Sequence, residues 1–227
     1  MIACMEEHWG NPSSLYTLGQ EANELLQSAR ERIAGCIGAA AREIYFTSGG
    51  SEADNQAIRS AAYWGARRGK KHIISSAIEH HAVLHTLERL KEEGFEITLL
   101  PVGEEGIVKV SDVAAALRED TALVTIMYAN NEIGTLCREK KVLFHTDAVQ
   151  AVGHVPVDVQ ADQIDMLSLS GHKFCGPRGV GALYVRQGLP LRSLIEGGAQ
   201  ERGKRAGTEN LPAIVGMATA LEESCAH

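Results

Sequence analysis

Residues 43–55, EIYFTSGGSEADN, pass from an apolar run through two glycines into a helix-like stretch. The run EIYFTS predicts a strand over 43–48, and the stretch from Ala53 to Arg68 predicts a helix. A strand that leads through glycines into a helix is the building unit of α/β proteins, and the backbone N–H groups at such a helix start attract anions. The GGS sequence is also compatible with an ordinary tight turn, and it is neither a Walker loop nor a GxGxxG sequence.

The same alternation continues on both sides of this stretch. Apolar periodicity predicts helices over Leu15 to Gly38 and 81–94, a short helix capped by Ser111 and ending at Leu117, and strands over 71–77, 95–102, 122–129, 141–148, 163–170 and 179–185. Most strand segments are continuous apolar runs, which is typical of strands buried on both faces. The last strand follows its predecessor so closely that we expect an antiparallel pair. We therefore predict an α/β fold with a mainly parallel sheet and helices on both faces.

Composition excludes several function classes. The chain has 22 basic and 29 acidic residues and a net charge of −7, which disfavours nucleic acid as a partner. No apolar run reaches transmembrane length and no signal peptide is apparent, so we expect no membrane partner. Five cysteines without a CxxC pair indicate reduced thiols rather than a disulfide framework or a zinc site. The expectation is a soluble cytoplasmic protein.

Polar residues follow five of the predicted strands. In open α/β sheets, ligands bind beyond the carboxyl ends of the strands. The five clusters are Ser48 to Ser51, Glu79 with His80, Asn130 with Asn131, Asp147 with Gln150, and Ser170 with His172 and Lys173. We expect these clusters to form one site.

Lys173 and Asp147 suggest the chemistry of that site. Lys173 follows the run MLSLSGH and precedes Phe174, and a lysine confined in this way can act as an amine nucleophile in Schiff-base chemistry. A solvated lysine is the alternative. Asp147 ends a buried strand and needs a partner, either a pyridinium nitrogen or, as a helix cap, the backbone of residues 148–151.

The histidines allow a second kind of site. His81 and His85 have the i, i+4 spacing of zinc ligands, and His145 is a distant candidate for a third. The HExxH order is absent, so we predict no metal site. His80, at a strand end, is better suited to stacking on an aromatic ring.

Residues 168–185, SLSGHKFCGPRGVGALYV, resemble the lysine segment of the class V pyridoxal-phosphate (PLP) enzymes of the cysteine desulfurase and selenocysteine lyase type. Six further segments agree in the family's order: WGNPSSLYTLGQEA (9–22), IYFTSGGSEADN (44–55), EHHAVL (79–84), NNEIGT (130–135), FHTDAVQAVGHVPVDV (144–159) and GGAQERGKRAGTEN (197–210). The resemblance implies the large domain of PLP fold type I over 1–210. Residues 211–227 would begin a helix leading to a small C-terminal domain that is largely missing.

The resemblance assigns roles around the cofactor ring. Lys173 would bind PLP through a Schiff base and then move protons. His80 would stack on the ring and take part in acid–base steps, and Asp147 would pair with the ring nitrogen. Gln150 would bond the ring hydroxyl, and Asn131 would lie near the ring and the substrate carboxylate.

The phosphate end of the cofactor is assigned in the same way. The resemblance implies that Gly50, Ser51, Ser170 and His172 hold the phosphate. Thr208 would reach the cofactor phosphate of a partner subunit, which implies a homodimer.

The implied function is that of a PLP-dependent cysteine desulfurase, which passes sulfur from L-cysteine as a persulfide and leaves L-alanine. The sulfur would serve iron–sulfur cluster assembly or another transfer, through an acceptor scaffold protein. A selenocysteine lyase acting on L-selenocysteine, a small-amino-acid aminotransferase and an inactive remnant remain open. The inactive remnant is motivated by departures from the family. Family segments before WGNPSS and after Thr135 have no counterpart in this sequence, and neither does the C-terminal loop that carries the acceptor cysteine. The stretch from Asn131 to Lys141 is also short for a parallel crossover.

Overall fold

The computed structural model describes residues 1–128 and 132–226 and places seven strands in one sheet. The strands are β1 Ile44–Thr47, β2 His72–Ser76, β3 Glu96–Leu100, β4 Thr121–Thr125, β5 Leu143–Asp147, β6 Met166–Ser170 and β7 Gly181–Val185. Their order across the sheet is β1-β7-β6-β5-β4-β2-β3. Neighbours from β3 to β6 are parallel, and β7 is antiparallel to both β6 and β1. The predicted α/β class and the antiparallel β6–β7 pair are confirmed.

Helices connect the strands and cover the sheet. They are α1 Ile2–Glu7, α2 Thr17–Cys36, α3 Gly50–Ala66, α4 His81–Glu92, α5 Val110–Ala116, α6 Glu132–Lys140, α7 Gln200–Gly203 and α8 Leu211–Cys225, with short 3-10 turns at Ala41–Glu43 and Gly171–Phe174. Within the described part of the chain, no helix has the length and apolar character needed to cross a membrane.

Two apolar cores lie on opposite faces of the sheet. Adjacent strand residues point to opposite faces, so Ile73 packs with the residues of α3 and α4, whereas Ile74 packs with those of α2 and α8. Leu211 and Leu221 of α8 belong to this second core. The domain boundary at residue 210 stays a prediction, but the helix after it packs on the same sheet.

Two local predictions were wrong. Ser111 does not cap α5, because the helix begins at Val110 after Lys109 and the serine lies inside the first turn. The crossover from β4 to β5 is parallel, although the chain between them was predicted to be too short. The prediction counted residues only from Asn131, whereas the connection starts after Thr125. The nine-residue α6 is about 13 Å long, close to the about 16 Å of a five-residue strand, and so returns the chain to the start of β5.

A buried ion pair fastens the segment around α7 to the edge of the sheet. Arg30 of α2 donates two hydrogen bonds to the Glu201 carboxylate, at 2.7 and 2.8 Å, and a third to the Ile44 carbonyl at 2.7 Å. Glu201 also accepts a hydrogen bond from the Phe46 N–H at 2.9 Å. Both charged side chains are almost completely buried. The contact joins α2, β1 and the 197–210 segment, which are far apart in sequence.

We expect Arg30→Met to lower the free energy of unfolding by about 3–5 kcal/mol, because it leaves the Glu201 carboxylate buried without its counter-charge. Urea unfolding monitored by circular dichroism measures the loss. Arg89→Met is the matched control, since Arg89 pairs with Glu92 on an exposed helix face, where a pair contributes under about 1 kcal/mol. An equal loss of unfolding free energy in the two variants would contradict the claim that burial makes the Arg30–Glu201 pair important.

Candidate active site

The polar ends of the strands meet around a cavity of about 580 Å³. Eight of the predicted site residues line it: Gly50, Ser51, His80, Asp147, Gln150, Ser170, His172 and Lys173. Thr208 is exposed and lies outside this cavity, in a separate depression near Ser48 and Gly179. Asn131 lies outside the described residues. The expected convergence at the carboxyl edge of the sheet is therefore observed for most of the site.

Lys173 lies on the 3-10 turn Gly171–Phe174, directly after β6. The ring nitrogen Nε2 of His154 donates a hydrogen bond to the Lys173 carbonyl at 2.9 Å, which fixes the backbone. After the turn the chain returns as β7, where Gly181 is required. A Cβ atom at residue 181 would lie 2.6 Å from the Leu169 carbonyl oxygen and 2.7 Å from the Gly49 Cα atom. The glycine lets β7 pass close to the start of α3, beside the lysine.

Asp147 ends β5 at the wall of the cavity. Its Oδ1 atom accepts a hydrogen bond from the Val149 N–H at 2.9 Å, and residues 148–151 form a turn. The carboxylate therefore caps a turn, and the predicted alternative of a helix after Asp147 is not observed. Burial raises the pKa of Asp147, while the nearby His80 and Lys173 act in the opposite direction. Gln150, three residues later, lines the same cavity.

His80 stands at the beginning of α4. Its Nδ1 atom accepts a hydrogen bond from the Ala82 N–H at 3.1 Å, so the imidazole caps the helix and is held in one orientation. His81 and His85 contact each other with ring centroids 5.2 Å apart, in a depression beside the cavity. The structure does not bring His145 to them, because that side chain is buried and bonded to Thr125 and Ser168. The three histidines thus do not form the zinc site considered from the sequence.

The start of α3 also lines the cavity. Gly49 has φ +154° and ψ −177°, a backbone conformation that residues other than glycine rarely adopt. A Cβ atom at Gly50 would lie 2.6 Å from a Val149 methyl group, so the glycine keeps this corner open. Ser170 and His172 face the same corner, with the Ser170 hydroxyl 3.0 Å from the His172 Nδ1 atom. The sequence GGS therefore starts a helix at Gly50, where the first N–H groups have no partner within the helix.

The sequence matches the family described as Aminotransferase class-V over residues 1–224. The chain belongs to this family. It is 52% identical over 231 residues to "Cysteine desulfurase IscS" of Clostridium botulinum, which covers 98% of this chain and 58% of the relative. The chain thus spans less than two thirds of the length of that relative.

Solved structures agree with this assignment to the class-V family. A structure titled "NIFS-LIKE PROTEIN" superposes with a TM-score of 0.94 at 40% identity, over 98% of this chain and 64% of the other. A second, titled "SspA in complex with cysteine", has a TM-score of 0.92 at 40% identity, over 97% of this chain and 66% of the other. The fold similarity to both covers nearly all of this chain.

In this class-V chain, Asp54 is a site residue that the sequence reasoning missed. It is 1% exposed, lines the cavity, and its Oδ1 atom has no hydrogen-bond partner among the described residues. Ligand-type atoms of Asp54, His80 and Asp147 lie within 4.8 Å of one another. Burial and the neighbouring Asp147 raise the pKa of Asp54 well above its usual range. The signal was its spacing, because residues 50, 51 and 54 share one face of a helix.

Glu79 is a second buried acid, for which the sequence suggested no separate role. Its Oε1 atom accepts hydrogen bonds from the Ser76 hydroxyl at 2.6 Å and from the Met127 N–H at 3.0 Å. The side chain therefore joins the end of β2 to the chain just beyond β4. Burial raises the pKa of Glu79 to about 7.

This pKa predicts a pH dependence of stability. Between the ordinary value of 4.5 and about 7, the unfolded chain ionises Glu79 whereas the folded chain keeps it protonated. Stability from this group is complete below pH 4.5 and is lost as pH rises, by about 3 kcal/mol in total. We expect Glu79→Gln to remove this loss, so that urea unfolding at pH 5 and pH 8 differs less than in the parent chain. The exposed Glu88→Gln is the control, and an unchanged pH profile in Glu79→Gln would contradict the assignment.

Proposed function

We propose that this chain is the cofactor-binding part of a PLP-dependent cysteine desulfurase. The observation that carries the proposal is the arrangement of Lys173, Asp147 and His80 around one cavity. The names of the relatives support it, since several are cysteine desulfurases at about half identity. Sulfur would leave L-cysteine, L-alanine would be the product, and an acceptor scaffold would receive the sulfur.

The residues that line the cavity suit both the phosphate and the ring nitrogen of PLP. The cofactor carries a dianionic phosphate and, across the ring, a basic nitrogen. The start of α3 with Ser51, Ser170 and His172 offers N–H and O–H donors and suits the phosphate. Asp147 offers a carboxylate and suits the protonated ring nitrogen. The space that Gly50 leaves open, which a Cβ atom would fill, supports close approach of the phosphate to the backbone.

The remaining residues of the site suit a reaction on an amino-acid substrate. When bound, PLP supplies an electron sink for negative charge that develops at the substrate Cα atom. In the proposal, Lys173 would bind the cofactor through Nζ and would later move a proton at the Cα atom. His80, which is oriented by the Ala82 N–H, would stack on the ring and exchange protons with the substrate. Gln150 would bond the ring hydroxyl, and Asn131, outside the described residues, would approach the substrate carboxylate.

The proposal includes a homodimer in the cytoplasm. Thr208 is exposed and away from its own cavity, a position that suits contact with the cofactor phosphate of a partner subunit. The five cysteines are all unpaired, as in a reducing compartment. Sedimentation velocity of the parent chain and of Thr208→Ala, with and without PLP, tests the dimer. A monomer at all concentrations would contradict it.

The function is tested in two stages. The purified chain is mixed with PLP, its absorption spectrum is recorded, and borohydride reduction with peptide mass spectrometry locates the covalent adduct. We expect a yellow protein with the adduct on Lys173, and a colourless protein without an adduct would overturn the cofactor assignment. Sulfide release from L-cysteine is then compared with selenide release from L-selenocysteine and with keto-acid-dependent transamination. Turnover only in the last assay would favour an aminotransferase, and no turnover with bound PLP would favour an inactive fragment.

A further inference from the structure

Helices α2 and α8 end side by side, and a charged contact fixes their alignment. The Nε atom of Arg32 donates to the Glu222 carboxylate at 2.8 Å, and its Nη2 atom donates to the Thr219 hydroxyl at 3.1 Å. One turn further along each helix lies a cysteine, Cys36 on α2 and Cys225 on α8. Because residues one turn apart share a helix face, the same alignment brings the two cysteines together.

The two thiols lie close together and are open to small molecules. Cys36 and Cys225 border the same cavity, and Cys225 is near enough to influence the pKa of Cys36. They line a cavity of about 460 Å³ outside the proposed active site, and Cys225 is exposed whereas Cys36 is half-buried. Cys36 is the last residue of α2, where the backbone can adjust to the geometry of a disulfide. Burial and the neighbouring Cys225 raise the pKa of Cys36 to about 12, so Cys225 is the thiol that reacts first.

We propose that Cys36 and Cys225 form a redox modification site, which closes to an intramolecular disulfide on exchange with a small organic disulfide such as oxidised glutathione. The Cys225 thiolate attacks one glutathione sulfur, and the S–S bond breaks to release one glutathione thiolate. Cys36 then loses its proton to solvent and attacks the Cys225 sulfur, which releases the second glutathione thiolate. The protein loses two thiol protons and two electrons, and one glutathione disulfide becomes two thiols.

The disulfide would act on the helix that supports the lysine turn. Ser224, the neighbour of Cys225, donates a hydrogen bond to the Phe174 carbonyl at 3.5 Å. A Cβ atom at Gly171 would lie 3.1 Å from the Met217 Cγ atom, so α8 packs directly against the turn that carries Lys173. Joining α8 to α2 closes a loop of most of the chain. A loop of this length restricts the unfolded chain strongly, and we expect Tm to rise by about 10 °C.

The test uses the purified chain without added cofactor, so its outcome is independent of the proposed function. The protein is incubated with oxidised glutathione, and non-reducing peptide mass spectrometry and thermal unfolding follow. We expect one dominant cross-link between the peptides of Cys36 and Cys225, a Tm higher by about 10 °C, and reversal of both by dithiothreitol. Cys225→Ser, at an exposed helix end, should abolish the cross-link and the Tm shift without affecting folding.

Cys175→Ser is the matched control, because Cys175 is exposed like Cys225 but directly follows the turn that carries Lys173. This variant should cross-link as the parent chain does. Glutathione retained on Cys225 with Cys36 still a free thiol would overturn the proposal. Equal glutathione labelling of Cys175 and Cys225 without a cross-link would overturn it as well.

Discussion

Lys173→Ala should abolish covalent attachment of PLP and lower sulfide release from L-cysteine by at least about 100-fold. Lys173 is the only lysine among the described residues that line the proposed cofactor cavity, so no neighbouring amine can replace it. The substitution removes both the group that binds the cofactor and a group that moves protons. Its backbone position should persist, because the bond from His154 is made to the carbonyl of residue 173.

The measurement is the absorption spectrum with PLP, followed by borohydride reduction and peptide mass spectrometry. Lys109→Ala is the control, since that lysine is exposed and precedes α5, away from the cavity. Thermal unfolding of Lys173→Ala without PLP should match the parent chain. A retained yellow adduct in Lys173→Ala, on any other lysine, would refute the assigned role.

Much of this fold could be predicted because its strands are buried on both faces. The strand ending at Thr125 carries three successive apolar residues and is buried at all five positions, which separates it from the amphipathic helices on either side. Ligands bind at the carboxyl ends of parallel strands, and this rule predicted from the sequence that His80, Asp147 and Lys173 belong to one site. The short return after Lys173 also predicted the antiparallel β7.

The missed features depend on contacts that strand ends do not reveal. Asp54 lies on the second turn of α3, and only the docking of that helix on the sheet directs its carboxyl group into the cavity. Glu79 is adjacent to His80 in sequence, but its importance comes from a bond to Met127, which lies 48 residues away. Ser111 failed as a cap because the local sequence also allows the helix to start two residues earlier, after Lys109. The residue at which a helix begins is decided by tertiary packing, which cannot be read from a single sequence.

Two buried acids near Asp147, Asp54 and Glu79, help to explain which carboxyl group of the site carries the negative charge. Asp54, Glu79 and Asp147 face a shared region, and the negative charge of Asp147 contributes to raising the pKa of both neighbours. Three ionised carboxylates cannot be held close together at low dielectric without counter-charges. The raised pKa values of Asp54 and Glu79 disfavour their charged forms. Asp147, which accepts the Val149 N–H and has His80 and Lys173 nearby, is therefore the acid best placed to carry the charge. The proposed partner of that charge is the protonated ring nitrogen of PLP.

Asp147→Ala should therefore weaken PLP binding by about 100-fold or more, because the bound ring nitrogen loses its counter-charge at a largely buried position. Asp147→Asn removes the negative charge but keeps the turn, since the amide oxygen can still accept the hydrogen bond from the Val149 N–H. If the charge is decisive, the two variants should bind PLP equally weakly and the Asn variant alone should keep the parent Tm. The dissociation constants are measured by PLP absorbance titration, with Asp112→Asn, in the first turn of α5 and outside the cavity, as the control. Parent-like affinity in Asp147→Asn would mean that Asp147 serves only to cap the turn at residues 148–151, and that another group meets the ring nitrogen.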